Sequence, residues 1–90
     1  MKLKTLIVED ESSLLELLKF NFIKDGFKVD TATDGEMALE KILNKAPDLL
    51  ILDWMLPKLS GIELCRRIRK NKELKNLPII MLTARGEEED

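Results

Sequence analysis

A short stretch in the middle of the chain is apolar at every position between two acids, Asp48-Leu49-Leu50-Ile51-Leu52-Asp53. An unbroken apolar run of this length is typical of a β-strand that is buried on both faces, and such a strand belongs in the middle of a sheet. A second apolar run, Ile79-Ile80-Met81-Leu82-Thr83, predicts another strand of the same kind. The chain is therefore expected to build its core around a sheet that is covered on both faces.

Strand-like and helix-like segments alternate along the rest of the chain. Residues 3–8 predict a strand that ends in the acids at 9–11, and residues 27–32 alternate apolar and polar side chains, as a half-exposed edge strand does. Between them, apolar residues recur at three- and four-residue intervals, and Gly26 follows in a position that suits a left-handed backbone just past a helix end. The apolar stripe of this first helix consists of Leu14, Leu15, Leu17, Leu18, Phe22 and Ile23.

Two capping boxes mark the starts of further helices. Thr33 with Glu36 predicts the start of a second helix, which Pro47 ends, and Ser60 with Glu63 predicts the start of a third. The order is then β-α-β-α-β-α-β. Strands separated by helices are parallel and their crossovers are right-handed, so the fold class is α/β.

Composition limits the function. The 90 residues include 15 basic and 17 acidic side chains, for a net charge of −2, and no histidine, which disfavours a free-standing nucleic-acid binder and excludes histidine-based catalysis and His-ligated metals. A single cysteine, Cys65, excludes an internal disulfide, so a reducing cytoplasm is the expected compartment. The apolar run near the N-terminus, Leu6-Ile7-Val8, is far shorter than the ~20 residues of a membrane span, so no membrane partner is expected.

The end of the sequence predicts a domain that continues further. Residues 87–90 are all acidic, as in the first turn of a helix, but no helix body follows them. The strand at 79–82 is apolar on both faces, yet no later strand covers its outer edge. We therefore expect residues 1–90 to be a single domain that is incomplete at its C-terminus; the alternative is a frayed acidic tail on a complete four-stranded fold.

Acidic and hydroxyl side chains stand where the predicted strands end. Glu9 and Asp10 follow the first strand, Asp53 ends the third and Thr83 ends the fourth. Ligands of an open parallel sheet bind at the carboxyl ends of its strands, so these side chains are expected to converge. Carboxylates held close together repel unless a cation joins them, and an all-oxygen ligand set selects Mg²⁺ before Zn²⁺. The alternative is that the acids stand there only because strands end at the surface.

These residues also carry a family resemblance. Leu6-Ile7-Val8-Glu9-Asp10-Glu11, residues 48–57, Ser60-Gly61 and residues 81–86 together resemble the receiver domain of bacterial response regulators, above all its OmpR/PhoB branch. The resemblance covers all 90 residues. It implies a flavodoxin-like, doubly wound parallel sheet of order 2-1-3-4-5, of which this chain supplies the order 2-1-3-4 and lacks the last strand and helix.

The resemblance assigns a role to each site residue. Asp53 matches the phospho-acceptor, which takes a phosphoryl group from the phosphohistidine of a sensor histidine kinase. Asp10 and Asp53 match direct Mg²⁺ ligands, together with the Met55 backbone carbonyl, while Glu9 acts directly or through water. Thr83 matches the switch hydroxyl. The backbone N–H of Ala84 matches a further phosphate contact.

The implied function is two-component phosphorelay signalling. Such a domain catalyses its own phosphorylation and dephosphorylation and is not a turnover enzyme. In the full protein the resemblance implies a homodimer on phosphorylation and a DNA-binding output domain that is absent here. The family's fifth-strand lysine has no equivalent, and Lys58, in the loop after Asp53, is interpreted as a solvated charge. This chain alone is therefore expected to bind Mg²⁺ but to be phosphorylated poorly.

Two other functions compete with this one. The first is a truncated interaction module that is not phosphorylated. The second is a metal-dependent phosphohydrolase with an Asp nucleophile; such an enzyme needs a general acid two residues after Asp53, where this chain has Met55. Of the remaining features, the basic run at 66–75 is interpreted as compensating a helix C-terminus, and Cys65 as a core residue. Trp54 is either a packing residue or an aromatic that faces a partner, and Phe20 is a candidate contact for the kinase or phosphotransfer partner.

Overall fold

Three helices and four strands alternate along residues 2–82, the part of the chain that this computed structural model describes. The bounds are β1 Lys4–Val8, α1 Ser12–Lys24, β2 Lys28–Ala32, α2 Gly35–Asn44, β3 Leu49–Asp53, α3 Gly61–Lys70 and β4 Ile79–Leu82. The predicted element order is confirmed. Thr83 and the acidic residues at 87–90 lie outside the described residues. No helix in the described range is long and apolar enough to cross a membrane.

The four strands form one parallel sheet with the order β2-β1-β3-β4. β1 is paired on both sides, with Leu6 beside Asp30 of β2 and beside Leu50 of β3. β3 is paired on its other side with β4, where Leu52 lies beside Met81. The predicted fold class and strand order are therefore confirmed, as is the position of β2 at an edge. The prediction that β4 is buried on both faces like β3 is wrong for the described residues, because β4 pairs only with β3 and Ile80 is 50% exposed.

The core lies on both faces of the sheet. On one face, Leu50 and Leu52 pack against α2 and α3, and on the other Ile7 and Ile51 pack against Leu15 of α1. All four strand residues are at most 2% exposed. β3 is thus buried on both faces, as its unbroken apolar sequence predicts.

The predicted apolar stripe of α1 is only partly correct. Leu15 is buried and Leu18 and Phe22 pack against the sheet, and Phe22 also meets the ring of Phe27 at a centroid distance of 5.2 Å. The other predicted stripe residues, Leu14, Leu17 and Ile23, are at least 36% exposed. A helix turns by about 100° per residue, so a flat sheet covers only the positions nearest to it. Leu14, Leu17 and Ile23 lie beyond that face.

One of the two predicted capping boxes is wrong and the other is half formed. α2 begins one residue later than the Thr33 box requires, because Asp34 is the N-cap and its Oδ1 accepts the Met37 N–H at 2.7 Å. At α3, the Ser60 Oγ accepts the Glu63 N–H at 3.1 Å, as predicted. The Glu63 carboxylate does not return the bond, since it pairs with two arginines of its own helix.

The end of α1 is as predicted. Gly26 has a φ of 98°, and its N–H donates to the Ile23 carbonyl at 3.0 Å. Glycine adopts this left-handed backbone conformation at little energetic cost, and the conformation turns the chain from α1 into β2.

Candidate functional site

Three carboxylates meet at the carboxyl end of the sheet. Glu9 follows β1 directly and Asp53 is the last residue of β3, and the two strands are neighbours with Val8 beside Leu52. One carboxylate oxygen from each of Glu9, Asp10 and Asp53 lies within 4.8 Å of the other two. The predicted convergence of these three acids is therefore present. The alternative, that the acids stand at the surface merely because strands end there, fails for Glu9 and Asp53, which are 3% and 8% exposed.

Glu9 is held in place by the backbone around it. Its N–H donates to the Ala32 carbonyl at 3.1 Å, which extends the β1–β2 ladder by one residue. Its Oε2 accepts the Glu11 N–H at 3.0 Å. Burial raises the pKa of the Glu9 carboxyl, and the negative charges of Asp53 and Asp10 raise it further, while the Glu11 N–H acts in the opposite direction. The charged form of Glu9 is thus disfavoured where it stands.

Asp53 is oriented by the first turn of the loop that follows it. Its Oδ1 accepts the Met55 N–H at 3.2 Å. This bond restricts the rotation of the carboxylate and fixes Met55 two residues beyond the strand. Around this turn, the side chains of Trp54 and Met55 are 38% and 56% exposed. The rim of the site on this side is therefore apolar and open to a partner.

Two glycines hold the loop between β3 and α3 against the sheet. The Gly61 N–H donates to the Trp54 carbonyl at 2.9 Å. A Cβ at Gly61 would meet the Asp53 carbonyl oxygen at 2.6 Å and would overlap the Trp54 Cα. Gly35 is the first residue of α2, and it touches the same loop near its α3 end. A Cβ at Gly35 would overlap the Leu59 carbonyl oxygen. Sequence reasoning gave neither glycine a role; a glycine at the first position of a helix was the available signal.

The same loop contains a strained residue. Lys58 has a φ of 70° although it is not glycine, and the Leu59 N–H donates to the Pro57 carbonyl at 2.7 Å across it. This is a γ-turn, a rare and strained conformation. The Lys58 Nζ lies 3.8 Å from Asp34 and its side chain is 61% exposed. The interpretation of Lys58 as a solvated loop charge agrees with this exposure.

The other sequence-predicted residues fall into two groups. Thr83 and Ala84 lie outside the described residues 2–82. Cys65 packs half-buried against the α2–α3 side of the core, and burial raises the pKa of its thiol, as befits a core residue. Phe20 is 63% exposed on α1. In the basic run, Arg69 donates to the Leu74 and Lys75 carbonyls, so this guanidinium is used within the fold.

The donor set suits a hard divalent cation. All three side chains offer carboxylate oxygens, the ligands that Mg²⁺ prefers. The pKa of the Glu9 carboxyl is raised first by burial and then by its acidic neighbours, and a bound cation relieves both effects by favouring the charged form. The residues present therefore fit a Mg²⁺ ion.

Sequence comparison identifies the family. The profile of the response regulator receiver domain family matches residues 5–90. The chain belongs to this family. Response regulator receiver domains are signalling domains and not turnover enzymes, which argues against the phosphohydrolase alternative.

The relatives of this receiver domain include transcriptional regulators. The phosphate regulon transcriptional regulatory protein PhoB of Rhizobium meliloti (strain 1021) is 56% identical over 87 residues, which cover 97% of this chain and 38% of that protein. The alkaline phosphatase synthesis transcriptional regulatory protein PhoP of Bacillus subtilis (strain 168) is 50% identical over 90 residues, which cover 100% of this chain and 37% of that protein. The predicted resemblance to the OmpR/PhoB branch is confirmed. The receiver domain spans well under half the length of these relatives.

Solved structures agree with the fold. The receiver domain of the sensor histidine kinase PA1611 from Pseudomonas aeruginosa PAO1, which has a magnesium ion coordinated in its active site cleft, superposes with a TM-score of 0.91 at 28% identity, covering 100% of this chain and 74% of that one. The chemotaxis response regulator CheY4 of Vibrio cholerae superposes with a TM-score of 0.90 at 31% identity, covering 99% of this chain and 76% of that one.

Proposed function

We propose that this receiver domain accepts a phosphoryl group on Asp53 from the phosphohistidine of a sensor histidine kinase, with Mg²⁺ held by Asp10, Asp53, Glu9 and the Met55 backbone carbonyl. The observation that carries the proposal is the meeting of three carboxylates within 4.8 Å at the end of β1 and β3. Membership of the receiver family supports it, and so does the magnesium ion in the active site cleft of the PA1611 receiver domain.

Asp53 is the nucleophile of the proposed reaction. One of its carboxylate oxygens attacks phosphorus, the P–N bond of the phosphohistidine breaks, and the electron pair of that bond returns to the imidazole nitrogen. The imidazole leaves neutral when its other nitrogen carries a proton. The products are an acyl phosphate on Asp53 and the free histidine of the kinase.

The acidic neighbours set the electrostatics of this step. An anionic carboxylate that approaches an anionic phosphoryl group is repelled, and Glu9 and Asp10 add to that repulsion. When bound, Mg²⁺ supplies the positive charge that offsets it. The Met55 N–H, which donates to Asp53 Oδ1, contributes by holding the nucleophile in a fixed orientation. In the same proposal, the Thr83 hydroxyl and the Ala84 N–H contact the phosphoryl oxygens.

The wider role is inferred from the relatives. Both PhoB and PhoP are named as transcriptional regulatory proteins, and this chain covers 38% and 37% of them. We infer that in a longer protein phosphorylation of this domain promotes homodimer formation and controls a DNA-binding output, and that it acts in the cytoplasm. That residues 1–90 form one receiver domain completed by further chain remains a prediction.

Phosphorylation is tested by mass spectrometry of the full-length protein. Incubation with acetyl phosphate and Mg²⁺ is expected to add one phosphoryl group, and Asp53→Asn is expected to abolish the mass gain. Asp48→Asn is the matched control, since Asp48 precedes the same strand at its opposite end. A mass gain that persists in Asp53→Asn, or that Asp48→Asn also abolishes, would refute Asp53 as the acceptor. No gain in the unmodified protein would favour the interaction module.

Metal binding is tested by fluorescence. The chain has one tryptophan and no tyrosine, and Trp54 directly follows Asp53, so its emission reports on this site alone. Titration with MgCl₂ is expected to give a saturable change that Asp10→Asn weakens at least about tenfold, because a carboxylate ligand loses its charge. The exposed acid Asp25, at the far end of α1, provides the control variant Asp25→Asn. An unchanged affinity in Asp10→Asn would remove Asp10 from the ligand set.

A further inference from the structure

A groove lies at the end of the sheet opposite to the three carboxylates. It runs between the amino-terminal parts of β1 and β2 and the last turn of α2, and its volume is about 400 Å³. We call it the amino-edge groove. It is lined by Lys4, Thr5, Leu6, Lys28, Val29, Asp30, Lys41, Asn44, Lys45 and Pro47. A volume of this size suits a small organic ligand, since binding pockets for such molecules begin at about 300 Å³.

The groove carries an excess of positive charge. Four of its residues are lysines, and Asp30 is the one acid among the described residues that line it. Lys41 is already engaged, because its Nζ donates to Asp30 Oδ1 at 3.0 Å and to the Thr31 carbonyl at 2.7 Å. The Asp30 charge is thereby balanced within the fold. Lys4, Lys28 and Lys45 supply the remaining positive charge.

The fold brings these three lysines together. Lys4 and Lys28 are register partners at the start of β1 and β2, so their side chains leave the same face of the sheet. Lys45 is the C-cap of α2, which packs over that face. Contact with the Lys45 side chain, followed by burial and by the charges of Lys45 and Lys28, lowers the pKa of the Lys4 ammonium, and Asp48 opposes this only in part. The lysines therefore repel one another in the free protein.

We propose that the amino-edge groove binds a small molecule with at least two phosphate groups, of the size of a nucleoside diphosphate. One phosphate of charge near −2 leaves three ammonium groups undercompensated, whereas a diphosphate matches them. Leu6 and Pro47 add apolar surface for an organic part, and Asn44 adds an amide donor and acceptor. The groove lies at the opposite edge from Asp53, so its occupancy does not depend on the proposed phosphorylation.

The test is calorimetric titration of the protein with ADP and with inorganic pyrophosphate, in EDTA so that no divalent cation can recruit phosphate to the carboxylates. Both probes are expected to bind saturably, orthophosphate more weakly, and all more weakly at higher salt. Removal of one ammonium is expected to weaken binding about fivefold, so Lys28→Gln with Lys45→Gln is expected to weaken it about 25-fold. Lys41 is left unchanged because it holds β2 to α2.

The matched control is the double variant Lys72→Gln with Lys75→Gln, which removes two exposed charges beyond α3. It is expected to bind both probes as the unmodified protein does. Amide chemical shifts are expected to change at residues 28–30 and 44–46 and to stay constant at 9, 10 and 53. The proposal is overturned if the control double variant loses as much affinity, if the shifts centre on α3 or on the carboxylates, or if neither probe binds at millimolar concentration. Binding of duplex DNA alone would overturn it equally, in favour of a nucleic-acid surface.

Discussion

Replacement of Gly61 with alanine is expected to displace the loop that carries the candidate site. The new Cβ would stand 2.6 Å from the Asp53 carbonyl oxygen and would overlap the Trp54 Cα. Both obstacles are backbone atoms, so no side-chain rotation relieves them. The Gly61 N–H is also tied to the Trp54 carbonyl at 2.9 Å, so α3 cannot withdraw without losing that hydrogen bond.

The size of the effect follows from these contacts. Overpacking of a well-packed site costs about 1–3 kcal/mol, and loss of the hydrogen bond adds about 1 kcal/mol. Alanine restricts the unfolded chain more than glycine does, which returns about 0.5–1 kcal/mol. The net loss in the free energy of unfolding is therefore about 1–3.5 kcal/mol. At a urea dependence of about 1 kcal/mol per M, the unfolding midpoint falls by about 1–3.5 M.

Gly26→Ala is the matched control. Its φ of 98° is unfavourable for alanine, but no atom lies within 4 Å of the added Cβ. The expected loss is about 1 kcal/mol, with Mg²⁺ affinity unchanged. Urea unfolding and Mg²⁺ titration by Trp54 fluorescence measure both variants. If Gly61→Ala is no less stable than Gly26→Ala and binds Mg²⁺ as tightly as the unmodified protein, the loop is not held as argued.

Two further substitutions test the strain and charge at the site. Glu9→Gln is expected to stabilise the chain in EDTA at neutral pH, because burial raises the pKa of the Glu9 carboxyl in the folded protein. The unmodified protein therefore loses stability as the pH rises from 4.5 through the folded pKa. Urea unfolding should show the gain in Glu9→Gln at pH 7 but not at pH 4. Lys58→Gly is expected to stabilise the protein by about 0.5–1 kcal/mol, because glycine accepts a φ near 70°. Lys58→Ala is the control, since it also loses the contact with Asp34 but keeps the backbone strain. It should show no gain in thermal unfolding. A gain of equal size in Lys58→Ala would attribute the effect to charge.

The positions of β2 and β3 were predictable because the two strands differ in pattern, whereas the full strand order 2-1-3-4 came from the family resemblance. The unbroken apolar run Leu49–Leu52 required a position with covered faces, and the alternation in 28–32 required an edge. Helix faces were less predictable, since Leu14 and Leu17 are as apolar as Leu15 but lie outside the part of α1 that the sheet covers. The Thr33 box failed for a similar reason, because Asp34 one residue later is an equally good cap.

The acids of the site were predictable because strand polarity alone brings them together. Glu9 and Asp53 end neighbouring parallel strands, so no knowledge of loops was needed to place them at one edge. The path of the loop after β3 past the starts of α2 and α3 is not encoded in any local sequence pattern. The close contacts of Gly61 and Gly35 and the γ-turn at Lys58 depend on that path, so they could not be predicted. The lysines of the amino-edge groove were missed likewise, because Lys4 meets Lys45 only through the packing of α2 on the sheet.

The two ends of the parallel strands therefore carry opposite charge. Acids cluster at the carboxyl end, where burial and mutual repulsion disfavour the charged form of Glu9. Lysines cluster at the amino end, where Lys45 and Lys28 disfavour the charged form of Lys4. Each cluster lowers the stability of the free protein, and a counter-ion bound to the folded state alone restores it. A cation or anion at a hundred times its Kd adds about 2.7 kcal/mol to the free energy of unfolding. Since the clusters lie at opposite ends of β1 and share no residue, Mg²⁺ alone is expected to stabilise the variant with Lys28→Gln and Lys45→Gln as much as the unmodified protein, and a diphosphate in EDTA is expected to stabilise Asp10→Asn as much as the unmodified protein, which separates the two sites by measurement of unfolding alone.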